Sequence, residues 1–431
     1  MQFKYLLDEH LPPVKTAVFG LQWFLVSVPC IIILGAVAAG SDGASPAMQL
    51  KYLQKLFLVT GLVLLVQVLR GHRLPLIVGP AVALFGSIVA SQAVGSGGAA
   101  YFSLVLCGLL LSALSYLNLV NRVSRLFTPR IIGVVLLLIA FTLLPTILNL
   151  ITQGTNKPFA HLAFAVIMIL AMVWGQRVLP DALKSTLVAW VLLLGSLLYY
   201  GLVAGGWPEL VRTLPETNDW QLALYTFSFD PVIFISFIFA FLALTANDLG
   251  SIQSMGGLLT VNDADNRTKA GLFITGAGNM LAGALGVIGP VNYSLSSGII
   301  LATGCASRFP LAAAAAVMIV VAFVPAVIGV FSYVPPVVTG SLLCFIMSSQ
   351  VAGGLMVLGK DLAKSGFETG MIVGLSLMLG ILTAFLPSSV IASIPAVVRP
   401  LVTNGFVVGI TAALLLEHVV YSKTKQDKEV T

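Results

Sequence analysis

The chain has 431 residues, 58% of them hydrophobic and only 9% charged, with a mean hydropathy of +1.03. A water-soluble globule cannot hide so large an apolar fraction, so the composition excludes a soluble enzyme or nucleic-acid-binding domain and implies an integral membrane protein with many spans. The net charge of +6 is then a matter of where the cations fall along the chain.

A helix needs about 20 apolar residues to cross a hydrocarbon layer of roughly 30 Å. In chain order, segments of that length or nearly so lie at 16–39, 53–69, 101–121, 131–151, 159–175, 185–205, 231–253, 270–287, 310–330, 336–358, 366–387 and 400–418, and two short or broken ones lie at 74–93 and 291–304. The expected total is fourteen spans. The first contains a small-residue triplet, Ala36-Val37-Ala38, but its apolar run is long and Asp8 and Glu9 precede it, so it reads as a retained span and not a cleaved leader. With both termini placed in the cytoplasm, seventeen Lys and Arg fall on the inner side and only Lys51, Lys55, Lys157, Arg212 and Arg399 on the outer side. That bias is the one expected of a plasma-membrane (inner-membrane) protein, and it accounts for the basic pI without a nucleic-acid partner. Cys30, Cys107, Cys305 and Cys344 stand singly in or beside apolar stretches, without the spacing of a disulfide frame or metal site.

The chain repeats itself. Ile77–Ser91 (IVGPAVALFGSIVAS) is similar to Val287–Thr303 (VIGPVNYSLSSGIILAT), and the fifth span, TPRIIGVVLLLIAF, echoes the twelfth, YVPPVVTGSLLCFIM. Seven spans separate the copies, and an odd number inverts one relative to the other. Inverted repeats with broken helices are the pattern of alternating-access transporters, whose substrate site forms near the midplane where the breaks meet. Gly79-Pro80 and Gly289-Pro290 are the expected breaks, each followed by a half-helix whose N-terminal N–H groups point inward. Paired proline kinks are the plainer reading.

One acid does not fit a loop. Asp248 follows the apolar run VIFISFIFAFLALTAN, and the first clear loop charges, Asp263, Asp265, Arg267 and Lys269, come fifteen or more residues later. A carboxylate at that depth costs about 2.5–3.5 kcal/mol on insertion scales and normally has a role. The alternative is a span that ends at Ala246, with Asn247-Asp248 as its cap. The four histidines, His10, His72, His161 and His418, read as tail, loop or span-end residues, which leaves Asp248 as the titratable group of the interior.

GLQWFLVSVP in the first span, ANDLG in the eighth and YSLSSGIILATG in the tenth resemble, in order and at matching spans, the nucleobase–ascorbate transporter family, which includes bacterial uracil and xanthine permeases. The resemblance covers essentially the whole chain. The family's tenth-span signature is Gln/Glu/Pro, Asn, any residue, Gly, four residues, Thr, then Arg/Lys/Gly. Gly298, Thr303 and Gly304 keep this spacing, while Leu295 and Ser296 stand where the polar side chain and Asn belong. The family's eighth-span substrate-binding Glu aligns with Asn247, the acid here being Asp248, and the first-span Gln-His pair becomes Gln22-Trp23.

The resemblance implies an all-α membrane protein of fourteen spans in two inverted seven-span repeats, with spans three and ten broken by short strands. A core domain, residues 1–127 (spans one to four) and 227–333 (spans eight to eleven), would move against a gate domain, residues 128–226 (spans five to seven) and 334–431 (spans twelve to fourteen and the tail). It also implies a homodimer in the lipid bilayer. The substrate would lie against Tyr293, Ser294, Leu295 and Ser296 of the tenth span, Val82 of the third, Cys30 of the first, and Asn247 or Asp248 of the eighth. A nucleobase presents ring N–H donors beside carbonyl acceptors, which a carboxylate and helix N–H groups complement. Asp248 would take up and release the coupling proton. Each residue has a plainer account: core packing for Leu295, Val82 and Cys30, an interior phenol for Tyr293, and bonds to their own helix for Ser294 and Ser296. A sulfate-permease-type anion carrier is the competing reading of the same fold. With no metal-ligand cluster, nucleophile–base pair or phosphate loop, neither an enzyme nor a cofactor is expected.

Overall fold

The computed structural model describes residues 3–40, 45–92, 97–120, 126, 128–152, 157–180, 183, 187–204, 206, 226–293, 296–330, 333–362, 367–395 and 398–421. The chain runs α1 (Pro13–Gly40), α2 (Pro46–Leu69), β1 (Ile77–Pro80), α3 (Val82–Gln92), α4 (Gly97–Tyr116), α5 (Pro129–Thr142), α6 (Leu144–Thr152), α7 (Pro158–Val178) and α8 (Leu187–Tyr199). It continues with α9 (Pro231–Leu258), α10 (Ala264–Leu285), β2 (Pro290–Tyr293), α11 (Ser296–Thr303), α12 (Phe309–Ala322) and α13 (Pro325–Val330). The last elements are α14 (Pro336–Leu362), α15 (Phe367–Ala384), α16 (Ser388–Ser393), α17 (Arg399–Val402) and α18 (Gly405–Leu415). Every apolar segment expected from the sequence carries helix. Among the described residues, nine helical stretches are long and apolar enough to cross a membrane.

Proline sets many of the boundaries. It opens α1, α7, α9 and α14 at a position where its missing N–H is not needed. It also divides two segments expected to be continuous. Pro145 lies just past the α5–α6 break at Leu143, and Pro325 opens α13 after the break that ends α12.

The packing falls into two groups. In one, α4 packs on α10 and α9, α2 on α12 and α1, and α3 on α9; in the other, α14 packs on α5, α6 and α7, while α15 and α18 pack on each other and on α5. Small residues allow the tightest approach. A side chain on Gly108 of α4 would come within 2.7 Å of the Gly276 carbonyl of α10, and one on Gly276 within 2.6 Å of the Gly108 carbonyl. Without a hydrophobic drive between helices in lipid, such close backbone contact supplies much of the association. The two groups meet where α3 and α9 face α5, α17 and α18, and where α1 meets α8.

At the centre, β1 and β2 pair antiparallel in the register Ile77↔Tyr293, Val78↔Asn292, Gly79↔Val291 and Pro80↔Pro290. So the two breaks are strand-then-helix units that cross, as expected. The two Gly-Pro pairs are not equivalent, however. The first ends β1, with α3 beginning two residues later, whereas the second begins β2, and α11 starts only at Ser296. The antiparallel register explains this: both prolines occupy one terminal pair of the ladder, where neither N–H is needed. The ladder continues one step beyond them through Ala81 N–H to the Gly289 carbonyl, 2.8 Å.

The N-terminal segment lies along the chain just after α11. Lys4 N–H donates to the Gly304 carbonyl, Tyr5 forms a parallel bridge with Cys305, Arg308 Nε donates to Asp8 Oδ1 at 2.7 Å, and His10 stacks on Phe309.

Candidate substrate site

The crossing is closed at both ends by side chains. At the α3 end, Tyr293 is half-buried with its ring over Gly79, and its hydroxyl donates to the Pro80 carbonyl at 2.6 Å. A side chain on Gly79 would come within 2.6 Å of that ring. At the other end, Ser296 Oγ accepts from Ile77 N–H at 2.9 Å and donates to the Tyr293 carbonyl at 3.1 Å. Both hydrogen-bonding roles of the buried Ser296 hydroxyl are used in stitching one strand to the other, and not in a bond to its own helix.

Asp248 lies inside α9 as its eighteenth residue of 28, with Asp230 as the true N-cap of that helix. The alternative of a span ending at Ala246 is therefore overturned. Asp248 is fully buried, at 0% exposure. Its Oδ1 accepts from the backbone N–H of Asn292 at 3.0 Å and from Asn292 Nδ2 at 2.6 Å, and its Oδ2 accepts from the Thr275 hydroxyl at 2.6 Å. One helical turn on, Ser251 Oγ donates to the Asn292 carbonyl at 3.1 Å. Residues three apart share a helix face, so α9 presents an acceptor and a donor that satisfy the outer edge of β2 as a third strand would.

The network reaches further. Thr275 Oγ1 accepts from Gln67 Nε2 at 3.0 Å, and Gln67 Nε2 also donates to the Gly271 carbonyl. Asn292 Oδ1 pairs with His72 Nε2 at 3.0 Å, while His72 Nδ1 accepts from Leu74 N–H at 2.9 Å. An Nδ1 that accepts carries no proton, so this pattern assigns the proton to Nε2, which donates to Asn292. Arg267 Nη1 donates to the His72 and Arg73 carbonyls at 3.3 and 2.8 Å, and its Nε donates to Asp263. The Arg267 hydrogen bond holds the Asp263 carboxyl below its usual range.

The expectation that no histidine lies near the interior acid is thus corrected. His72 follows α2 and reads as a loop residue, yet it is 0% exposed. The chain tucks inward after Gly71 because Leu74 and Leu76 are buried and Arg267 clamps the carbonyls beside them. His72, Asn292, Thr275 and Gln67 are the functional candidates that reading for acids misses. Amides and hydroxyls in otherwise apolar spans were the available signal.

Of the remaining candidates, Cys30 is buried in α1 close to Tyr293, and Val82 is the half-buried first residue of α3. Asn247 is half-buried on α9, and its side chain makes no hydrogen bond to another described residue. Ser294 and Leu295 lie outside the described residues. The structure therefore gathers Cys30, Val82, Tyr293, Ser296 and Asp248 around the crossing. Two helices, α3 and α11, begin beside it, and their first-turn N–H groups have no partner within the helix. Among the described residues no group of His, Cys, Asp and Glu could hold a metal ion.

A broken-helix crossing inside two packed helix groups is the architecture of a membrane transporter. The fold is similar to that of the transmembrane domain of the cyanobacterial bicarbonate transporter BicA (TM-score 0.61, 16% identity, 88% of this chain and 97% of that one). It is also similar to SLC26A9 (TM-score 0.58, 14% identity, 95% of this chain and 65% of that one). At these identities the likeness shows fold alone. Sequence goes further: residues 14–389 match the profile of xanthine and uracil permeases described as “Permease family”, and the chain belongs to that family. Relatives include YwdJ of Bacillus subtilis, whose name assigns it provisionally to the purine permeases (25% identity, 97% of this chain, 99% of the relative). Others are the nucleobase transporter PlUacP of Paenibacillus larvae (23% identity, 96% of each) and the xanthine permease of Bacillus subtilis (22% identity, 96% of this chain, 95% of the relative).

Proposed function

We propose that this chain is a secondary active transporter of the plasma membrane that carries a nucleobase-like heterocycle, of the uracil or xanthine kind, together with a proton. Family membership and the names of the relatives support the substrate class. In this reading fourteen spans form two inverted repeats with cytoplasmic termini, and the protein works as a dimer. The core (residues 1–127 and 227–333) moves against the gate (residues 128–226 and 334–431), exposing the crossing to each side in turn. Asn247, Tyr293, Ser294, Leu295, Val82 and Cys30 line the ligand, and the first-turn N–H groups of α3 and α11 meet its carbonyl oxygens.

The observation that carries the coupling is the bonding of Asp248. Its Oδ1 is held by both donors of Asn292, whereas Oδ2 meets, among the described residues, the Thr275 hydroxyl alone. A hydroxyl can turn, so a proton arriving on Oδ2 would donate to Thr275 Oγ1 without disturbing the grip on β2. Protonation cancels a buried charge while the site crosses the membrane. The anion-carrier reading rests on the fold neighbours, a bicarbonate transporter and an anion transporter, whereas the relatives' names favour the nucleobase.

Uptake of radiolabelled pyrimidines, purines and small anions into proteoliposomes, with and without an inward proton gradient, decides between these readings. Gradient-driven uptake of a nucleobase, lost in Asp248→Asn while exchange of the same compound persists, is the expected result. An Asp248→Asn protein that still concentrates substrate with unchanged pH dependence removes Asp248 from the coupling; uptake of anions alone removes the nucleobase.

A further inference from the structure

Among the described residues, a buried polar contact joins α3 of one helix group to the start of α18 in the other. Asn404 precedes α18, and its Oδ1 caps that helix by accepting from Val407 N–H at 3.3 Å. Its Nδ2 donates across to Ser87 Oγ of α3 at 2.9 Å. Ser87 Oγ in turn lies 3.4 Å from Ser236 Oγ of α9, and Ser91 Oγ donates to the Ser87 carbonyl at 2.7 Å. Asn404, Ser87 and Ser236 are all buried. The neighbouring Gly86 lets the corner between α17 and α18 rest on the backbone of α3: a side chain there would come within 3.1 Å of Asn404 Oδ1.

The location gives the contact its meaning. Ser87 lies five residues beyond Val82, roughly 7.5 Å along the helix axis from the crossing. It is therefore displaced from the crossing toward the membrane face that α3 runs to. There α17 and α18 pack against both α3 and α9. Asn404 satisfies its own helix with one end and the opposite group with the other, so separation of the groups leaves its amide and the Ser87 hydroxyl in need of water. A buried, unpaired polar pair is costly, whereas the same pair in water is not. Separation at this point is thus tied to entry of water from that face.

We propose that Asn404 and Ser87 form a latch that holds the α17–α18 corner on α3 and closes the carrier on the face toward which α3 runs. The proposal rests on the alternating-access reading above. Wherever core moves against gate, this bond breaks once and re-forms once per cycle, and its strength sets the share of molecules open to that face. A net hydrogen bond of this kind shifts a two-state population by about threefold to tenfold.

The test uses the full chain in proteoliposomes with Cys107, Cys305 and Cys344 replaced by Ala, leaving the buried Cys30 as reporter. A membrane-impermeant thiol reagent is applied from the α3 side alone. Asn404→Ser keeps a capping hydroxyl for α18 but is too short to reach Ser87, and Ser87→Ala removes the partner while leaving the cap intact. Labelling of Cys30 from that side is expected to speed up about threefold to tenfold in each variant, and no further in the double variant. Unchanged labelling in Ser87→Ala, or effects of the two changes that multiply in the double variant, overturns the latch. The measurement needs no substrate, so a failed uptake panel and a failed latch are separate results.

Discussion

The two arms of the central crossing share a plan, a four-residue strand leading into a short helix, but they are anchored to different things. The β2 arm is gripped by polar side chains of its own helix group: Asp248 and Ser251 of α9 hold Asn292, and Asn279 of α10 donates to the Pro290 carbonyl at 2.9 Å. Among the described residues, the β1 arm has no such set of grips along its edge. Its described polar ties run to the opposite arm, through Tyr293, Ser296 and Gly289, and its helix is bonded at Ser87 to Asn404 of the other group. One arm is thus fixed to a frame and the other positioned by what crosses it. Two stretches alike in sequence are thus anchored differently, one within its own helix group and the other in part to the opposite group.

Breaking the β2 grip should cost most. Asp248→Ala leaves the backbone N–H and side-chain amide of Asn292 and the Thr275 hydroxyl without their acceptor. A loss of about 3 kcal/mol or more is expected, read as a lower unfolding temperature in detergent together with loss of ligand binding. Gly289→Ala comes next. The new side chain would overlap Asn279 Oδ1 and must displace that amide from the Thr275 and Pro290 carbonyls, for about 2 kcal/mol. Tyr293→Phe removes a single bond, to Pro80, and should cost about 1 kcal/mol. If Tyr293→Phe destabilises the protein as much as Asp248→Ala, the two arms are anchored alike.

Much of this arrangement was legible in the sequence, and the part that was not has a physical reason. Two breaks flagged by glycine and proline, and an acid deep in an apolar run, located the crossing and its brace, because irregular backbone and charge are both conspicuous in a hydrocarbon setting. The partners of Asp248 were less visible. Asn292 and Thr275 are uncharged, and His72 follows a span end, so none violates the apolar pattern by itself. Their significance comes from contacts such as His72 with Asn292, 220 residues apart. The unequal placement of the Gly-Pro pairs escaped for a related reason: matching letters align by sequence order, whereas an antiparallel ladder pairs the end of one strand with the start of the other.

The clasp between the N-terminal segment and the chain after α11 has a consequence for biogenesis. Asp8 and Arg308 are 300 residues apart. At roughly 5–20 residues per second of synthesis, Asp8 waits some tens of seconds for Arg308. Gln67 and His72 wait nearly as long for Gly271 and Asn292. During that interval the early helices hold amide and imidazole groups in or beside the bilayer with no native acceptor. The nascent chain is therefore most exposed to mispairing and to quality-control proteases before residue 308 is inserted. Truncations ending between α4 and α9 should be degraded faster than those that include α12.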